Sequence, residues 1–210
     1  MRIDLHLHTS PRSSCSVMAA SDAVSEAAAL GLDGVCITDH HALVPRAELD
    51  RLSAAAGILV LGATEVTTEE GDVLVFGLRR AVDHMVTLVE LRELAREDGA
   101  FMVAAHPFRG FLLFGPGHLG MSPEKAVSRR LFAHVDAIEV CNGRLTPAEN
   151  GSARQVAERL GLAGTGGSDA HRLDEIGHCV TVFPDPITSE RDLVAALRAG
   201  ACSGERFTPP

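Results

Sequence analysis

The sequence predicts an α/β protein whose mainly parallel strands close into a (β/α) barrel. Two observations carry this reading. Apolar strand-like runs alternate with helix-like runs over most of the 210 residues, the pattern of a parallel sheet with crossover helices. His, Asp and Glu also gather at the C-terminal ends of successive strand runs, as on the active face of such a barrel. An open doubly wound sheet fits the alternation equally, and the placement of the polar residues decides for the barrel. No linker, repeat or low-complexity block breaks the chain, so residues 1–210 are expected to form a single domain, with its last β/α unit at about 179–200.

The first strand is Arg2-Ile3-Asp4-Leu5-His6-Leu7-His8. In extended backbone alternate side chains share a face, so His6 and His8 point the same way and Leu5 and Leu7 the other. After a polar turn at 11–16, a helix is expected over 21–30, with Ser21 as N-cap and Gly31 as stop. Strand 34–38 delivers Asp39, His40 and His41. A helix over 46–56 ends at Gly57, and strand 58–64 delivers Glu65. The polar turn 67–72 before strand 73–76 suggests a hairpin. A helix over 86–98 closes at Gly99, and strand 101–105 delivers His106-Pro107. Residues 108–122, rich in Gly and Phe, are read either as a lid over a site or as a flap packed on the barrel. A helix over 123–132 precedes strand 135–140. The helix over 147–160 is closed by Gly161, strand 162–165 leads to Asp169 and His171, and strand 179–183 and helix 189–199 end the pattern.

Composition narrows the function classes. The chain is 46% hydrophobic and 22% charged, with no Trp or Tyr and 8 Phe, ordinary for a globular protein with an aliphatic core. A formal charge of −9 argues against stable binding to nucleic acid, which needs a basic surface, but leaves room for a small anionic substrate. Five cysteines without CxxC spacing suit a reducing, cytoplasmic setting. No signal-peptide core or membrane-length apolar run is present.

Seven residues are candidate metal ligands: His6, His8, His40, Glu65, His106, Asp169 and His171. Imidazole and carboxylate suit Zn²⁺, Mn²⁺ or Fe²⁺. Seven exceed the needs of one four-coordinate ion, and a carboxylate can bridge two, so a two- or three-metal centre is expected. Arg12, Arg109 and Arg144 follow motif positions on the same face and are candidate anion ligands. Asp39 is placed to orient an imidazole, and Glu139, near the end of its strand, to support a ligand or carry a proton.

The motifs HLHTS, ITDHH, GATE, AHP, IEVCNG and GSDAH, in this order from residue 1 to about 200, resemble the PHP (polymerase and histidinol phosphatase) domain in its stand-alone phosphoesterase form. The resemblance implies a distorted TIM-like (β/α)7 barrel of PHP type. It implies that His6, His8, Glu65 and Asp169 hold one metal, that Glu65 bridges to a second bound by His106, and that His40 and His171 hold a third. Two positions depart from the family pattern. Cys15 stands near where members carry an Asp or His ligand, and its thiolate is a candidate ligand favouring zinc. Strand 71–77 lacks the usual His, leaving Asp72 as the nearby alternative. The expected activity is hydrolysis of a small phosphorylated substrate (a nucleotide, sugar phosphate or amino-alcohol phosphate) by a metal-activated hydroxide. The alternatives are hydrolysis of a non-phosphate bond and a non-catalytic regulatory module.

Overall fold

The computed structural model describes residues 1–110 and 123–209. Its elements run β1 (Arg2–Leu7), α1 (Ala20–Ala29), β2 (Gly34–Ile37), α2 (Arg46–Ala56), β3 (Leu59–Gly62), β4 (Thr64–Thr68), β5 (Gly71–Phe76), α3 (Leu88–Asp98) and β6 (Phe101–Ala104). There follow α4 (Pro123–Ala126), a 3-10 turn at Arg130–Ala133, β7 (Ala137–Asn142), α5 (Pro147–Leu160), β8 (Ala163–Gly167), a 3-10 turn at Leu173–Glu175, β9 (Cys179–Val182), α6 (Glu190–Arg198) and β10 (Ser203–Arg206).

The strands form two five-stranded sheets, ordered β10-β9-β1-β2-β3 and β4-β5-β6-β7-β8. β1, β2 and β3 are parallel, whereas β9 runs antiparallel to both β1 and β10. In the second sheet β4, β5 and β6 form an antiparallel meander, and β6, β7 and β8 are parallel. The fold is therefore mixed α/β, and the strand pairing does not confirm the expected closed parallel barrel. Backbone hydrogen bonds cross between the sheets at two seams. Ala63 N donates to Ile37 O (2.8 Å) and Glu65 N to Asp39 O (3.2 Å) at one; His8 N donates to Ala170 O (3.0 Å) and Asp169 N to His6 O (2.6 Å) at the other.

Packing follows from side-chain alternation. Ile3, Leu5, Leu61, Leu74, Phe76 and Val103 meet between the sheets under α6. α1 and α2 cover the first sheet over Val35, Ile37 and Val60, and α3 and α5 cover the second over Val75, Met102 and Ile138. Leu5 and Leu7 do not share a face: Leu5 joins the inner cluster and Leu7 the outer one. The pairing of β1 with β2 shifts register between Asp4 and Leu7, and such an irregularity re-aims the side chains that follow it. Gly167 lets β8 approach β1, since a Cβ there would collide with His6.

Several boundaries move. α1 starts at Ala20 with Ala19 at its N-cap and no side-chain cap, so Ser21 lies inside the helix. The expected strand 58–64 divides at Ala63, because the chain passes there from one sheet to the other. The expected helix 123–132 divides into α4 and a 3-10 turn. β10 was not anticipated. Of segment 108–122, Phe108 is buried beside Phe132 (6.5 Å between ring centroids) and Gly110 N donates to Glu149 Oε1 (2.9 Å); residues 111–122, with His118, lie outside the described residues. Among the described residues no helix is long and apolar enough to cross a membrane.

Candidate metal centre

The seams bring the imidazoles and carboxylates together. His6, His8, Glu65, His106 and Asp169 are all buried. His6 Nε2 and His8 Nε2 are 3.1 Å apart. Glu65 Oε2 lies 3.4 Å from His6 Nε2, 3.2 Å from His8 Nε2 and 3.3 Å from His40 Nδ1, while Glu65 Oε1 lies 2.9 Å from His106 Nε2. Asp169 Oδ1 lies 3.6 Å from His6 Nε2, 3.4 Å from His8 Nε2 and 3.7 Å from His171 Nδ1. The donor atoms fall into three groups, each within 4.8 Å: His6, Glu65 and His106; His6, His8 and Asp169; and His8, Cys15, His40 and His171.

Hydrogen bonds on the far side of the rings fix what the near side offers. His6 Nδ1 is 2.9 Å from Glu139 Oε1, an acceptor, so Nδ1 carries the hydrogen. Ser13 Oγ donates to Asp39 Oδ1 (2.8 Å) and is left as acceptor toward His8 Nδ1 (3.4 Å). In neutral His6 and His8 both Nε2 lone pairs then face each other and the two carboxylates. That arrangement repels itself unless a cation lies among the four groups. Donors about 2.0–2.2 Å from one ion stand about 3.0–3.6 Å apart, so the separations around His6 and His8 fit a divalent transition ion.

The carboxylates draw positive charge into this space, which a proton on His6 or a metal ion in its place can supply. Burial works against protonation of His6, but Glu139 and Glu65 outweigh it and lift the imidazole to about 10. Burial likewise opposes ionisation of Glu65, yet His6, His106 and His8 hold it well below the carboxylate range. His171 is pushed down to about 3 by burial, then by His8 and Arg144. His106 (φ 29°) and Asp169 (φ 56°) have left-handed backbone although neither is glycine, a strain of about 1–3 kcal/mol each that collects at functional sites.

Other expected site residues are placed differently. Arg12 forms a two-pronged ion pair with Glu48 (3.0 and 2.6 Å) and so is engaged away from the cluster. Among the described residues Asp39 is hydrogen-bonded to no imidazole: it accepts from Thr9 N (2.6 Å), Thr9 Oγ1 (2.7 Å) and Ser13 Oγ, and reaches His8 through Ser13. Glu139 lies mid-strand in β7, and its Oε2 accepts from His106 N (2.8 Å) and Asn142 Nδ2 (3.0 Å). Arg109 pairs with Asp169, and Arg144 Nη1 lies 2.7 Å from His171 Nδ1. Asp72 belongs to none of the three donor groups. Cys15, Val17, Arg109, Arg144, His171, Arg172 and Glu175 line a cavity of about 600 Å³. Ser13 and Asn142 were missed; both sit inside or beside the quoted motifs, but only the folded partners reveal their parts.

The sequence model of the PHP-associated family matches residues 147–202, from α5 to just before β10. A two-domain protein from Bacteroides vulgatus, containing a predicted PHP-like metal-dependent phosphoesterase, superposes with a TM-score of 0.74 at 22% identity, over 99% of this chain and 65% of that one. These likenesses support a PHP-domain reading of this chain. The lesion-specific endonuclease Q of Pyrococcus furiosus has the same fold (TM-score 0.64, 15% identity, 99% of this chain and 59% of that one). The uncharacterized protein MJ1587 of Methanocaldococcus jannaschii is 27% identical over 152 residues, 68% of this chain and 82% of that protein. In this chain HLHTS, ITDHH, GATE and GSDAH sit where the two sheets exchange hydrogen bonds, so the fold itself assembles the cluster.

Proposed function

We propose that the chain is a metal-dependent phosphoesterase acting on a small phosphorylated molecule: a nucleotide, a sugar phosphate or an amino-alcohol phosphate. His6, His8, Glu65 and Asp169 would hold one divalent ion, Glu65 with His106 a second, and His40 with His171 a third, each Zn²⁺, Mn²⁺ or Fe²⁺. The observation that carries the reading is the convergence of two imidazole lone pairs and two carboxylates beside a cavity lined by Arg109 and Arg144. The seam hydrogen bonds favour regarding the two sheets as halves of one distorted barrel with the cluster at its mouth. Five free cysteines favour a reducing, cytoplasmic setting.

Bound divalent ions supply a water activated near neutral pH and neutralise phosphoryl charge. The chain's residues do the rest. Glu139 and the Asp39–Ser13 pair hold the Nδ1 hydrogens of His6 and His8, keeping both Nε2 lone pairs on the cluster side. The guanidiniums of Arg109 and Arg144 take the remaining phosphoryl oxygens, for which their planar donor fork is suited. Burial of Glu65 and Asp169 keeps bulk water from screening the charges they set.

A second reading, cleavage of a phosphodiester in nucleic acid, is favoured by the likeness to endonuclease Q and opposed by the net charge of −9. One assay separates them. Mn²⁺-loaded protein is offered mononucleotides, nucleoside bisphosphates, sugar phosphates, histidinol phosphate and a duplex with an abasic site, with His106→Ala as control. Phosphate release from one small-molecule class, lost in the control, is the expected result. Strand scission without phosphate release would transfer the reading to nucleic acid, and silence across the panel with metal bound would refute both.

A further inference from the structure

Taking the cluster to be a metal centre, we propose that Cys15 is a thiolate ligand. With His40 and His171 it makes a soft metal position whose preference differs from that of the neighbouring imidazole–carboxylate position. The donor atoms of His8, Cys15, His40 and His171 all lie within 4.8 Å of one another, and this group contains no carboxylate, whereas the other two groups contain one each. The His8 ring stacks on His40 and lies tilted against His171, with centroids 4.5 Å apart in each case. Its Nε2 is already turned toward His6 at 3.1 Å, and one imidazole lone pair serves one ion. The set left for the outer ion is therefore one sulfur and two nitrogens.

The turn carrying Cys15 is fastened to both ligand-bearing seam strands. Ser16 Oγ donates to His8 O (2.8 Å) and His171 O (3.3 Å), and Val17 N donates to His171 O (3.2 Å). Ser13 N donates to Thr9 O (2.8 Å) from the other end of the turn. The thiol is thus held beside His171 by the backbone rather than reaching it from a free loop. Thiolate with imidazole selects zinc over manganese or magnesium, whereas the carboxylate-rich position tolerates the harder ions. Three protein ligands leave a coordination position open, as catalytic rather than structural zinc sites do, and Cys15 and His171 line the arginine-bearing cavity. When the ion binds, the Cys15 S–H bond breaks and its proton passes to solvent.

Cys15 is exposed, so the wild-type chain reports on its own ligation. Alkylation of Cys15 by iodoacetamide, followed by peptide mass spectrometry, is compared with and without Zn²⁺. With free zinc at ten times its dissociation constant, labelling slows about tenfold, and His40→Ala removes the protection. In parallel, Co²⁺ loading produces a near-ultraviolet thiolate-to-cobalt charge-transfer band in the wild type that Cys15→Ser lacks. Equal labelling rates with and without zinc, or no such band at full cobalt loading, would overturn the proposal. Neither readout needs turnover. Protection without phosphate release upholds the thiolate ligand while sinking the phosphoesterase reading, and release without protection does the reverse.

Discussion

Replacing Glu139 by glutamine tests whether the far side of the rings controls the near side. Three donors share the two Glu139 oxygens: His6 Nδ1 at 2.9 Å on Oε1, and His106 N at 2.8 Å and Asn142 Nδ2 at 3.0 Å on Oε2. Glutamine keeps the shape but has one acceptor and one NH₂. If its oxygen stays with His106 and Asn142, the NH₂ meets His6 Nδ1, which must give up its hydrogen. The hydrogen moves to Nε2, and the lone pair meant for the ion is lost. The flipped amide instead sets its NH₂ against two buried donors, each forfeiting a charge-assisted bond worth about 1.5–3 kcal/mol. The first arrangement breaks fewer bonds and is the one expected. Loss of a carboxylate behind a ligating imidazole weakens metal binding about 10–100-fold, or about 1.4–2.7 kcal/mol. Calorimetric titration of Zn²⁺ against a competing chelator reads this directly, with the thermal midpoint of the metal-free variant confirming that it folds. Affinity within about threefold of wild type would refute the tautomer argument.

Ser13→Ala removes the link from Asp39 to His8 Nδ1 and the acceptor of His40 N–H; the same titration is expected to show about tenfold weaker binding, and unchanged affinity would sink the link. Arg12→Ala breaks an ion pair whose side chains are 25% and 27% exposed, so the loss in urea unfolding is at most about 1 kcal/mol and KM stays at the wild-type value. Arg144→Ala is expected to raise KM about tenfold or more, since a charge-assisted bond is worth about 1.5–3 kcal/mol; equal KM values for the two variants would contradict the placement of Arg144. Asp98 is held at about 2 by Arg80 and by the Arg79 backbone N–H. Its folded value lies below its unfolded one, so its contribution is present above about pH 4 and is lost as pH falls toward 2. Asp98→Asn is therefore expected to flatten that acid limb in pH-dependent unfolding, and an unaltered limb would count against it.

What was legible followed from local chemistry. The helix at 147–160 was read to the residue, because Pro147 and Gly161 mark its ends, and a Thr146–Glu149 capping box sits at its start. The seven expected ligands meet because each lies at a strand end or in β1, where the backbone alone sets position. Long-range pairing was not legible. The fate of Arg12 is set by Glu48, 36 residues on, and that of Asp39 by donors from the turn at 9–13. β10, Ser-Gly-Glu-Arg, carries no apolar alternation to signal a strand. It pairs through its backbone with β9, and Gly204 packs so close to Thr165 that a Cβ there would collide. The expected mainly parallel pairing departs at β5 and β9 for the same reason: alternation reports which segments are strands, while the directions of β5 and β9 depend on which neighbour each finds.

The position of the cluster explains how a fold tolerates it. Bringing Glu65, Asp169 and Glu139 into a buried space with the imidazoles of His6, His8 and His106 is costly, since each charge loses water. The chain offsets this by building the site from backbone that is already committed. His6, His8 and Asp169 lie on one seam, and His40 and Glu65 on the other, so the hydrogen bonds that join the sheets also set the donor spacing. Side-chain rotation is spent on the far side, where Glu139 and Ser13 fix the two tautomers. His106 and Asp169 carry the strained backbone, the arrangement expected where geometry is imposed by the surrounding fold rather than chosen locally. Assembly of the sheets and assembly of the site are thus one event. A ligand that binds the cluster must therefore stabilise both sheets by mass action, rather than one loop.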